Sequence, residues 1–332
     1  MPIQALPDGR YLPERDGHRV WWCETGLPGG APVLVLHGGP GGRTRAAPFA
    51  WFDGLPVRCI AFDQRGCGQS TPTGGLEHNT LVHLVADIER LRAELNIEAW
   101  GVVGGSWGAL LAVAYAAAHP QRVTGLFLRS AFLGSDAEVA RFFEPWAAWL
   151  GDAGAAWLGV AESRNPLGLL DPIAAAPGGG RISPARVTLA WQAFESAQAG
   201  AGGLGAQPGA RFKPPPESVP AAQTAQTAQG DELPAGLAIQ AHYLQQHCFL
   251  QPGVVDGWLS VLRNALATRP VSLVHGLADA VCHADVTAAL ATHWPHAKVH
   301  GVEGAGHDMD APLMRHALTE SARKWFARSA AP

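Results

Sequence analysis

The chain has 332 residues, of which 47% are hydrophobic and 16% charged, against about 25% charged in an average globular domain. That composition supports a large core, and the length suits one α/β domain carrying an insertion. Lys plus Arg number 24 and Asp plus Glu 28, a net charge of −4 without any block of like charge; this argues against general nucleic-acid binding and against a charged tail. The five cysteines (Cys23, Cys59, Cys67, Cys248, Cys282) are odd in number and form no CxxC pair. They predict reduced thiols in a cytoplasmic protein rather than a disulfide framework or a zinc site. The opening MPIQALPDGRYLPERDG has no basic start followed by an apolar stretch, so no signal peptide is expected.

In chain order, RVWWCE (19–24), PVLVLH (32–37) and VRCIAF (57–62) read as strands, and LVHLVADIERLRAEL (81–95) as a helix with apolar spacing of three and four. A strand follows at 100–104, a helix at 107–118 that stops near His119-Pro120, and a strand at 123–129. The segment 99–118 carries no charged side chain and is long enough for a membrane span. Its central glycines favour a buried strand, a sharp turn and a buried helix instead, and no membrane association is expected. From 135 to 265 the sequence predicts helical pieces without a strand series, interrupted by Gly-, Ala-, Pro- and Gln-rich stretches. Among these, AAQTAQTAQ (221–229) reads as a mobile loop, and the glycines at 177–180 and 198–209 as hinges or loose loops. The βα pattern resumes with strands at 271–275 and 297–302 and helices at 284–293 and 312–327. Apolar strands alternating with helices imply a mostly parallel sheet covered on both faces. The expected organisation is a core domain of residues 1–134 and 266–332 with a mainly helical cap at 135–265.

Gly104-Gly105-Ser106-Trp107-Gly108 matches G-x-S-x-G between a predicted strand and a predicted helix. Only small residues fit around so tight a turn, which lifts the serine hydroxyl above the sheet and directs the positive end of the helix at it. A serine needs a base, and the base an orienting acid, here in the chain order Ser, acid, His. Asp279 follows a late strand and His307 the last one, each at a strand's carboxyl end. Asp285, Asp308 and Asp310 are rival acids, though Asp308 is too near His307 in sequence to reach its ring easily. For the oxyanion, the Trp107 N–H and the Gly39 N–H of the His37-Gly38-Gly39-Pro40-Gly41-Gly42 loop are the expected donors. Pro40 has no N–H to offer. Asp63 and Arg65, beside a tight glycine turn, read as structural, and Cys67 lacks the partners of a nucleophile.

Taken together, HGGPGG (37–42), FDQRGCGQSTP (62–72), LVADIERLR (84–92), GGSWG (104–108), LRSAFL (128–133), GLADAVC and AGHD resemble the proline iminopeptidases of the α/β-hydrolase fold. The resemblance covers roughly 15–145 and 237–327 and is poor between. It implies removal of an N-terminal proline from small peptides with a free N-terminus, by a serine triad without metal or cofactor. Carried over, the nucleophile is Ser106, the acid Asp279 and the base His307. The family holds the substrate's amino group with two cap glutamates. The first falls on Glu195 in Trp191-Gln192-Ala193-Phe194-Glu195, with a solvated helix glutamate as the alternative. At the second position this chain has the neutral Gln240, in Gln240-Ala241-His242-Tyr243-Leu244; Asp231, Glu232 and Glu144 are candidates to compensate. The proline pocket maps to Phe132 and Phe142, with Leu244 where an aromatic residue is usual. An esterase or amidase of small acyl substrates with the same triad is the rival reading, and a non-catalytic binding protein of the same fold a further one. Oligomeric state is left open.

Overall fold

The computed structural model describes residues 5–160, 166–170, 182–199, 211–215 and 233–329. The tract 221–229, the glycine stretch 177–180, most of 198–209, and Asp231 and Glu232 lie outside them. The described residues form an eight-stranded sheet: β1 (Arg10–Tyr11), β2 (Trp21–Gly26), β3 (Ala31–Leu36), β4 (Val57–Phe62), β5 (Trp100–Ser106), β6 (Val123–Ala131), β7 (Val271–Gly276) and β8 (Lys298–Val302). Their spatial order is β1-β2-β4-β3-β5-β6-β7-β8, with β1 and β2 antiparallel and the rest parallel. The two-residue β1 carries no sequence signal, since so short an edge strand has no periodicity to read.

Helices cover both faces. On one lie α2 (Leu81–Glu94) and α3 (Trp107–Ala118), and on the other the short α1 (Ala47–Ala50), whose Phe49 joins Trp325 and Phe326 of the C-terminal helix. Every residue of α3 from Trp107 to Ala116 is buried. A helix enclosed on all sides needs no polar face, which is why the segment 99–118 carries no charge. No helix among the described residues is long and apolar enough to cross a membrane. β3 pairs with β4 on one side and β5 on the other, so the chain order reverses there. The loops leaving β3 and β5 diverge and open a crevice at the carboxyl ends of the strands, the place where open α/β sheets bind ligands.

After β6 come α4 (Asp136–Phe143), α5 (Trp146–Leu158), α6 (Pro184–Ala199) and α7 (Ala235–Gln245). The first is closed by a capping box in which Ser135 and Glu138 exchange hydrogen bonds. These helices gather a second core around Phe143, Trp146, Trp149, Trp191 and Phe194. Ring centroids lie 5.1 Å apart for Phe143–Trp191 and 5.0 Å for Trp146–Phe194. α7 is buried on two sides. Leu237 and Ala241 face the cap cluster, whereas Ile239 and Tyr243 belong to the sheet's own core. At the expected cap boundary stands α8 (Val254–Ala265), whose Leu259 and Leu262 pack in the sheet core with α3. The strongly amphipathic α8 has one apolar stripe, and it spends that stripe on the sheet domain rather than on the cap. The last two helices, α9 (Ala284–His293) and α10 (Pro312–Ser329), complete the layers.

Candidate active site

Ser106 ends β5 and precedes α3 with φ 55° and ψ −126°. A non-glycine residue held there costs about 1–3 kcal/mol, sustained because both flanks are over-determined. A Cβ at Gly104 would overlap the carbonyl of Gly108, and one at Gly108 would lie 2.6 Å from the carbonyl oxygen of Leu36. The turn is therefore confined to glycine on either side. Beneath it the Trp107 indole donates to Gln64 Oε1 (2.9 Å), while Gln64 Nε2 donates to the His37 carbonyl (2.9 Å). The Gln64 backbone N–H donates to His37 Nε2 (3.0 Å), so Nδ1 carries the ring proton and donates to the Gly38 carbonyl (2.8 Å). Burial keeps this imidazole neutral by lowering its pKa. One amide side chain thus binds the loop after β3 to the turn after β5.

Asp63 fastens the far end of the same loop. Its Oδ1 accepts from the Thr44 N–H (2.6 Å) and its Oδ2 from the Gln69 N–H (2.8 Å). Arg65 does not pair with it. The buried guanidinium instead forks onto Asp87 of α2 (2.6 and 3.0 Å) and reaches Asp16 at 3.2 Å.

Asp279 lies in the turn after β7 and is fully enclosed. Its Oδ1 accepts from the N–H groups of Val281 and Cys282 (both 2.9 Å), and its Oδ2 accepts from His307 Nδ1 at 2.8 Å. Burial alone would raise its pKa, but the His307 charge and hydrogen bond, with the Cys282 N–H, hold the carboxyl down at about 2. Asp285 instead pairs with Arg141, and Asp310 with Arg45. Among the described residues Ser106 Oγ makes a hydrogen bond to Cys282 Sγ at 3.7 Å and none to His307. Ser106, His307 and Cys282 nonetheless line one cavity of about 880 Å³.

The same cavity is lined by Gly39, Phe132, Phe142, Glu195, Gln240 and Leu244, residues drawn from both the sheet loops and the cap. Trp107 is not among the residues lining it; its side chain is fully buried, and its backbone begins α3 directly after Ser106. Phe142 packs its edge on Phe194, with centroids 5.3 Å apart, so it is at once cavity wall and cap core. Gln240 Nε2 donates to Glu195 Oε1 at 2.6 Å, and the Trp191 indole donates to Gln240 Oε1 at 3.1 Å. Burial pushes the Glu195 carboxyl up, against the pull of the Gln240 bond.

Several contributors carried no sequence signal. Arg129, buried on β6, donates to the His307 carbonyl at 2.6 Å. Burial lowers its pKa while Asp279 opposes the shift. His275 at the end of β7 sits 3.7 Å from Asp279 and bonds to the Cys282 carbonyl at 2.7 Å, bracing the acid's turn. Both belong to strands that read as plain apolar runs, so only the pairing of strands could reveal them. Among the described residues no three His, Cys, Asp or Glu side chains are grouped to hold a metal ion.

A serine on a strained strand-to-helix turn, a buried acid–imidazole pair from later loops and a parallel sheet in this order define an α/β hydrolase. The family model for the α/β-hydrolase fold matches residues 31–309. A probable proline iminopeptidase of Leptolyngbya boryana is 33% identical over 98% of this chain and 97% of its own. A proline iminopeptidase of Arabidopsis thaliana is 34% identical, over 94% of this chain and 77% of its own. The chain belongs to the proline iminopeptidase family. Among solved structures, a proline iminopeptidase-related protein of Thermus thermophilus superposes with a TM-score of 0.55 at 21% identity, covering 97% of both chains; at that identity the likeness speaks for the fold.

Proposed function

We propose that this chain is a serine aminopeptidase that releases an N-terminal proline from small peptides. The observation that carries this reading is that one cavity is lined by Ser106 and His307 at the sheet and by the Glu195 carboxylate in the cap. A carboxylate set in a pocket wall suits a protonated amino terminus, and the apolar Phe132, Phe142 and Leu244 around it suit a pyrrolidine ring.

In this reading Ser106 attacks the carbonyl of the first residue. His307, its Nδ1 engaged by Asp279, takes the serine proton on Nε2 and passes it to the leaving amine. The Ser106–His307 contact then forms as substrate binds, as catalytic hydrogen bonds commonly do. Asp279 holds the imidazole tautomer and stabilises its charge. The N–H groups of Gly39 and Trp107 receive the oxyanion. Water, activated by His307, releases the acyl group. The cap confines the amino terminus, so cleavage stays at the first bond. The five cysteines are all buried and unpaired, which supports a reducing, cytoplasmic setting.

The test compares proline naphthylamide, its N-acetylated form and a simple naphthyl ester. Turnover of the free-amine substrate alone is expected. Equal or faster turnover of the blocked amide or the ester would overturn the aminopeptidase reading in favour of an esterase or amidase.

A further inference from the structure

Gln240 occupies the position where the family resemblance calls for a second amine-binding carboxylate, and its surroundings give it a different task. The Trp191 indole Nε1 is a donor only, and an ionised Glu195 is an acceptor only. Gln240 lies between them, 3.1 Å from the one and 2.6 Å from the other. A single orientation of the amide satisfies both, with its carbonyl toward Trp191 and its NH₂ toward Glu195. The reverse would set donor against donor and acceptor against acceptor. A protonated Glu195 could still accept from the amide through its carbonyl oxygen, but the bond is stronger to the carboxylate, so the arrangement favours the anion.

α7, which carries Gln240, is fixed from below. The Tyr243 ring packs on Trp107 at 4.7 Å between centroids, and its hydroxyl donates to Asn79 Oδ1 at 2.8 Å. The amide is thus held from a helix anchored to the sheet core, while Glu195 comes from α6 in the cap.

We infer that Gln240 is a positioning residue: oriented by Trp191, it holds Glu195 in one orientation and favours its anion, so that Glu195 is, among the described residues, the charged acceptor for the substrate's amine. The inference rests on the aminopeptidase reading for its substrate, but not for the relay itself. Among the described residues no ionisable side chain forms an ion pair with Glu195. Glu138 of α4 caps its own helix, Asp152 of α5 is exposed, and His242 of α7 is bonded to the Asn79 carbonyl. Arg43, Arg45, Arg129, His307 and Asp308 line the cavity, and none of them makes an ion pair with Glu195. The burial that pushes the Glu195 carboxyl up is opposed first by the Gln240 bond and then by Trp191, so the indole also bears on the carboxylate directly.

The experiment follows Glu195 itself, by ¹³C NMR of the full chain labelled at glutamate Cδ, with the resonance assigned through Glu195→Gln. Its titration midpoint is compared in the native chain, Gln240→Leu and Trp191→Phe. The midpoint is expected to rise by about one pH unit in Gln240→Leu, where a donor to a buried carboxylate is lost, and by a smaller amount in Trp191→Phe. An unchanged midpoint in Gln240→Leu overturns the inference. A rise in Gln240→Leu with none in Trp191→Phe overturns the relay, and so does a Trp191→Phe rise that persists undiminished in the Gln240→Leu background, since the indole would then act on Glu195 directly. These readouts need no turnover, so they stand even if prolyl substrates prove not to be cleaved. Where those substrates are cleaved, KM for proline naphthylamide is expected to rise roughly tenfold in Gln240→Leu, the loss of one charge-assisted hydrogen bond, with kcat nearly unchanged. Gln240→Glu sets two carboxylates in one site that must share a proton. Its KM should fall steeply as the pH rises through that proton's loss, a dependence absent from the native chain; a flat KM there also counts against the inference.

Discussion

At the sheet end of the cavity the main chain fixes nearly every group: Asp279 is held by two N–H groups, the loop 37–44 by Gln64 and Asp63, and Ser106 by a turn with no room for a side chain at Gly104 or Gly108. At the cap end the wall is built from ring packing, and its polar groups are held side chain to side chain, Trp191 to Gln240 to Glu195. The first arrangement ties function to the path of the main chain, so nearly any substitution disturbs it. The second lets residues change as long as donors and acceptors still match. The two positions at which the resemblance noted in the sequence breaks, Gln240 and Leu244, fall in this second arrangement.

Four substitutions probe this contrast. Ser106→Ala should reduce turnover by at least about 10⁴-fold with an unaltered circular dichroism spectrum; near-native activity would remove the mechanism. Asp279→Asn should cost roughly 10³- to 10⁴-fold in kcat by leaving the imidazole in the wrong tautomer, read in steady-state assays. In the cap, Phe194→Ala empties the centre of the aromatic cluster and should cost about 3–5 kcal/mol in urea unfolding. Glu195→Gln is expected to raise KM for proline naphthylamide roughly 10- to 150-fold while leaving hydrolysis of a blocked ester unaffected. A fall in ester hydrolysis would mean that the two ends are not separable.

The smallest effect concerns acid stability. The folded Asp279 carboxyl, at about 2, lies below its ordinary 3.8. Its ionisation therefore adds about 2 kcal/mol above the ordinary value, and this is lost as the pH falls through 3.8 towards about 2. Denaturation curves of the native chain and Asp279→Asn should converge over that interval; parallel curves would show that the carboxylate is not held by the imidazole.

Much of this is legible in the sequence because it depends on neighbours along the chain. The strand 57–62 and the helices 107–118 and 284–293 have the predicted bounds, since their apolar runs end at unmistakable breakers. The serine turn is a five-residue pattern that needs no tertiary knowledge. Asp279 and His307 can be placed by chain order, and the structure brings them to 2.8 Å. What is not legible depends on which elements meet. Helical periodicity marks the apolar face of α8 without naming its partner, which the structure shows to be the sheet core. Arg129 and His275 are hidden in apolar strands. Gln240 reads as a substitution that weakens a site, because a lone amide says nothing about an indole N–H forty-nine positions earlier.

One close contact bears on how such caps are acquired and exchanged. Gly41, in the loop after β3, and Gly236, at the start of α7, meet backbone to backbone; a Cβ on Gly236 would lie 2.8 Å from the Gly41 carbonyl oxygen, and one on Gly41 would overlap the Gly236 carbonyl. A cap grafted from another hydrolase would have to arrive bare of a side chain four residues before the amide position, or it would prise open the loop 37–42. Substrate range in this lineage is therefore free to drift through the cap's interior, but the seam where the cap meets the catalytic loop constrains which whole caps can be inherited.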